Sequence, residues 1–108
     1  MTPNNITPEL VREFSSLPLH DGILHELRLD WKQRTCLASI SAFVNRGENA
    51  VPREILWRDV SEVFVPHQNP WGPSVFINTK SVDARGVFVI EMQSGDEIRI
   101  HAKSFEFR

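Results

Sequence analysis

The chain predicts an α+β fold that is mostly antiparallel β, a single twisted sheet folded as a sandwich or partial barrel with one N-terminal helix. Three observations carry this. Apolar residues recur at helical spacing only near the start, where Leu10, Val11, Phe14 and Leu17 share one face. From Ile23 onward the apolar period is two, in short runs that begin roughly every 10–12 residues and are separated by polar turns. No helical segment lies between those runs, and parallel strands need such crossovers. The expected organisation is a single domain over 1–108, with a β-rich region over about 23–107.

Thr7-Pro8-Glu9 reads as a helix start, with a Thr N-cap, Pro at the first helical position and an acid in the first turn. Pro18 stops the helix, which is placed at about 8–16 and packed through Leu10, Phe14 and Leu17. Leu19-His20-Asp21-Gly22 then turns the chain into a strand over 23–31. Its strict alternation puts Ile23, His25, Leu27, Leu29 and Trp31 inward, and so predicts a buried Trp31. A polar turn at 32–35 leads to a second strand over 36–44. A third follows at 53–57, with Ile55 and Trp57 on one face, and another at 60–65. Val75-Phe76-Ile77-Asn78 is apolar on both faces and predicts a central or doubly covered strand. The clearest hairpin pairs 87–92 with 97–102 around Gln93-Ser94-Gly95-Asp96, where Gly95 supplies a positive φ. Phe105 and Phe107 share a face of a last strand over 104–107.

Composition sets bounds on function. The 108 residues carry 12 basic and 14 acidic side chains with the signs interspersed, for a net charge of −2, which argues against nucleic acid as a main partner. Cys36 is the one cysteine, so no internal disulfide forms and a cytoplasmic, reducing location is expected. No apolar run approaches the roughly 20 residues of a transmembrane helix, and residues 1–5 lack the character of a signal peptide, so no membrane partner is expected.

The residues with chemical potential are few. His20 and Asp21 are adjacent, and His25 lies five positions on. The three could ligate a metal, or His20 could act as a base oriented by a carboxylate, with Glu91 or His101 assisting. A structural reading stands beside this one. Asp21-Gly22 suits a turn in which Asp bonds its own backbone and Gly tolerates unusual dihedrals, His20 is a tether, and His25 is an inward-facing polar residue. Nucleophile elbows, phosphate loops and dinucleotide fingerprints are lacking, and Ser94-Gly95-Asp96-Glu97 has too few spaced oxygens for a calcium loop. Cys36 reads as a small buried hydrophobe. No catalytic residue and no cofactor are expected.

Binding is the stronger expectation. Pro66-His67-Gln68-Asn69-Pro70-Trp71-Gly72-Pro73-Ser74 holds three prolines and a glycine around a tryptophan, which makes a stiff, irregular loop between two strands. Trp71, with His67, Pro70 and Pro73, either lids the core or contacts a partner, and a pre-ordered aromatic suits contact. An exposed edge strand adds a route to self-association as a homodimer.

The run of a short helix, Leu19-His20-Asp21-Gly22, an alternating strand and Ile55-Leu56-Trp57-Arg58-Asp59-Val60 resembles the layout of small uncharacterised bacterial β-rich proteins, including immunity proteins of polymorphic toxin systems. The likeness covers roughly the first 65 residues. It implies a cytoplasmic binding protein without catalysis that neutralises a toxin, and it supplies no binding residues.

Overall fold

A computed structural model describes residues 6–68 and 75–108. Helix α1 (Pro8–Ser15) is followed by strands β1 (Ile23–Asp30), β2 (Thr35–Ala42), β3 (Val51–Arg58), β4 (Glu62–Phe64), β5 (Ile77–Val82), β6 (Val87–Met92), β7 (Glu97–His101) and β8 (Ser104–Phe107). They form two antiparallel four-stranded sheets, in the orders β1-β2-β3-β8 and β4-β7-β6-β5. One antiparallel bridge, Ile23 with Phe76, joins the two sheets at a corner. The expected α+β, β-rich architecture is present as two linked sheets, with no closed barrel.

The helix forms where its capping residues place it. Thr7 accepts a hydrogen bond from Leu10 N at 3.2 Å, satisfying one otherwise unpaired donor of the first turn. The helix is amphipathic, and Phe14 is fully buried while Leu10 and Leu17 pack partly against the core. Phe14 meets Phe88 edge-on at 4.9 Å and Phe105 at 5.1 Å, and lies 6.4 Å from Trp57. These tilted contacts suit the ring quadrupoles. One helical side chain thereby touches strands of both sheets.

The inner faces supply the rest of the core. Cys36, Ala38, Ile40 and Ala42 alternate inward along β2, as do Ile55 and Trp57 along β3. Phe88, Ile90 and Met92 of β6 and Ile98 and Ile100 of β7 form the opposing set. The expected β6–β7 hairpin is present, and Gly95 has a φ of +99°.

Two expectations for β1 fail, each for its own reason. The register of β1 against β2 shifts between Leu24 and Glu26, so His25 is an extra, bulged residue. Because side chains alternate with period two, one inserted residue reverses the faces that follow. Leu24 and Leu27, opposite the buried Ile40 and Ala38, are the residues that pack on the core, whereas His25 is exposed. The strand then ends at Asp30, whose Oδ1 accepts from Gln33 N at 2.9 Å and starts the turn. Trp31 therefore lies in the turn beyond the strand and is 90% exposed, not buried.

The region 75–78 is also not a central strand. β5 lies at the edge of its sheet, and Val75 is exposed while Ile77 is buried. Its second apolar face is used by the corner, where Phe76 bridges β1 and Leu24 N donates to Val75 O at 2.8 Å.

Candidate functional site

The His20, Asp21 and His25 set does not converge. His20 Nδ1 lies 2.6 Å from the carbonyl oxygen of Asn78 on β5, and its Nε2 stands 3.6 Å from Asp21 Oδ2. Asp21 adopts a φ of +64° and accepts from Gln93 Nε2 at 2.7 Å. His25 instead shares a 2.7 Å hydrogen bond with Ser41 Oγ on the neighbouring strand. Each side chain fastens one part of the fold to another. Among the described residues no three His, Cys, Asp or Glu side chains group as metal ligands. Glu91 accepts from Asn78 Nδ2 at 3.1 Å, and His101 pairs with Glu62 at 3.2 Å on the adjacent strand. Cys36 is buried, and burial pushes its thiol up to about 11, which suits packing and not nucleophilic chemistry.

The turn dipeptide Asp21-Gly22 works differently from its sequence reading. Asp21 supplies the left-handed residue, and Gly22 supplies space. A Cβ at Gly22 would stand 2.8 Å from Ser41 O and 3.0 Å from Leu19 O.

The open surface lies along β1. β1 and β4 are edge strands of different sheets, and the sheets part between them. At the C-terminal end of β1, Leu29, Trp31, Val60 and Val63 line a groove of about 530 Å³, with Asp30, Arg34 and Glu62 on its walls. Leu29 sits opposite the buried Cys36, so it lies on the core side of β1, yet it is 52% exposed because nothing described covers it. Toward the other end of β1, Leu24 and Leu27 line a hollow of about 250 Å³ with Val65, Pro66, His67, Val75 and Ile98. The described part of the proline-rich stretch thus borders the same seam. Gln68 N donates to Asp96 Oδ1 at 3.4 Å and ties that stretch to the β6–β7 hairpin. Of the candidate binding residues, His67 is exposed and lines this hollow, whereas Pro70, Trp71 and Pro73 lie outside the described residues.

Sequence reasoning missed Trp31 as a surface residue. The available signal was Asp30 as a turn-starter directly before it, which outweighs alternation at a strand end. An apolar groove beside a nearly naked indole can seat an aliphatic or aromatic side chain, and the outer edges of β4 and of β1 beyond Leu24 can take a strand.

No protein-family model matches the chain, and no curated protein matches it. The fold is similar to a crystal structure of an uncharacterized protein from Neisseria gonorrhoeae, with a TM-score of 0.58 over 82% of this chain and 91% of that one. At 16% identity the likeness is one of fold alone.

Proposed function

We propose that this chain is a small protein-binding domain whose contact face is the groove between the end of β1 and β4, centred on Trp31. The observation that carries the reading is the 90% exposure of Trp31 beside Leu29, Val60 and Val63. A single exposed apolar residue needs no explanation, but a tryptophan over an apolar groove is the type of anchor that dominates binding energy. A finer form of the same reading, a cytoplasmic immunity-like protein, draws its support from the layout of the first 65 residues. Its expected setting is an adjacent toxin gene whose product kills only cells lacking this chain.

The test compares partner recovery by the wild-type chain and by Trp31→Ala from lysate of the encoding organism. A contact residue of this type is worth about 2 kcal/mol or more, so Trp31→Ala should lower recovery of the specific partner by roughly 30-fold. The thermal melt of the variant should match that of the wild type, since the side chain is exposed. Equal recovery by both chains overturns the reading. Light scattering run in parallel shows whether the partner is a second copy, in which case Trp31→Ala returns a dimer to monomer.

A further inference from the structure

The groove under Trp31 shares Arg34 and Ser61 with a second, polar hollow of about 250 Å³. Four connections of the chain meet at that hollow. The β1–β2 turn brings Arg34, the β3–β4 link brings Asp59 and Ser61, the β5–β6 turn brings Arg85, and the β7–β8 link brings Lys103. Backbone hydrogen bonds hold them in place. Val60 N donates to Arg34 O at 2.8 Å, Ser61 N to His101 O at 2.9 Å, Ala102 N to Gly86 O at 3.0 Å and Lys103 N to Arg58 O at 3.1 Å. The cations therefore stand on a braced frame and not on independent loop tips.

The charge of this hollow opposes that of the chain. Arg34, Arg85 and Lys103, with His101 at the rim, face one lining carboxylate, Asp59, in a molecule whose net charge is −2. Glu62 takes up His101 at 3.2 Å, and Asp83 approaches Arg85 at 3.7 Å, where the Arg85 side chain is largely exposed and that of Asp83 about half exposed. Among the described residues, no carboxylate pairs with Arg34 or Lys103, and neither side chain is buried.

We infer that the partner presents an acidic segment, seating an apolar side chain against Trp31 and a neighbouring Asp or Glu carboxylate among Arg34, Arg85 and Lys103. This rests on the groove being the protein-binding face and adds the chemistry of the partner. Charge complementarity selects the occupant. A nucleic acid would carry further phosphates past Asp30 and Glu62 on the groove walls, where they are repelled, whereas an acidic peptide places its charge only where the cations are. Arg34 lines both hollows, and a guanidinium suits bidentate capture of a carboxylate.

A random-peptide library displayed on phage, selected against the immobilised wild-type chain, tests this. Enriched peptides should pair Asp or Glu with a nearby Phe, Leu or Trp. A synthetic copy of one such peptide should bind more weakly as salt rises and lose about tenfold or more in affinity to Arg34→Glu/Lys103→Glu. Both positions are exposed, so matching thermal melts should show the double variant to be folded. Enriched peptides that are neutral or basic yet need Trp31 overturn the acidic partner and leave the groove standing. No enrichment, or equal binding to Trp31→Ala, overturns both. A thymidine oligonucleotide that binds more tightly than the peptide and is lost on the charge reversal makes the hollow a nucleic-acid site and overturns the proposal.

Discussion

Single residues in this domain are chosen by burial and by backbone conformation, and Cys36 shows the first. It has no exposed surface, sits opposite Leu29 and Trp57 on the neighbouring strands, and holds its proton to about pH 11 because its thiolate would be desolvated. The unfolded thiol titrates near 9, so the stability contributed by the protonated form is complete below that pH and is lost progressively as pH rises toward 11. By pH 11 the loss amounts to roughly 2 kcal/mol. Urea melts between pH 8 and pH 11 should show this decline in the wild type and a shallower one in Cys36→Ala. Parallel slopes would show that Cys36 does not titrate on unfolding. Arg34 and Asp59 illustrate the second influence, with left-handed φ values of +58° and +55° at the points where two connections turn into the polar hollow.

At the scale of elements, α1 is the piece that fastens the sheets together. Phe14 contacts Trp57 of β3 and Phe105 of β8 in one sheet, and Phe88 of β6 in the other. Phe14→Ala should destabilise by about 3–5 kcal/mol, as expected for emptying a fully buried aromatic site. Denaturant unfolding followed by far-UV circular dichroism and by tryptophan fluorescence should shift together. A loss below about 1 kcal/mol would mean that the helix is a detachable cover. This element was legible in the sequence because all of its signals are local: Thr7, Pro8, the helical spacing of Leu10, Phe14 and Leu17, and Pro18. The β6–β7 hairpin was legible for the same reason. β1 was harder, since nothing local marks His25 as a bulge. The extra residue is set by pairing with β2, and it makes Leu24, not His25, share the core face with Leu27 and Leu29.

For the whole molecule, the decisive place is the corner where the two sheets join. Asp21 N and Ile77 N exchange hydrogen bonds with Ile77 O and Gly22 O at 2.9 Å each, next to the Ile23–Phe76 bridge. Gly22 stands so close to Ser41 O that a methyl group there must displace backbone and not a pliable side chain. Gly22→Ala should therefore cost about 1–3 kcal/mol, measured by thermal melting. Amide exchange should report the loss at residues 22–24 and 75–77 first. An unchanged melt would show that the corner gives way freely. The same corner explains why 75–78 resembles a central strand: its second apolar face serves the junction between sheets, although β5 itself is an edge.

Local signals specify the class of the fold, the helix and its buried face, the shared face of Ile55 and Trp57, the β6–β7 hairpin and the structural use of Cys36. These follow from periodicity, capping and turn chemistry, which act within a few residues. Tertiary structure alone decided the split into two sheets and the seam between β1 and β4. It also decided the gathering of Arg34, Asp59, Arg85 and Lys103 at one hollow. Strand pairing joins residues far apart in the chain, and a connection reveals what it carries only once its neighbours in space are in place. The candidate site is built almost wholly from such connections, so it emerged with the fold and not with the sequence.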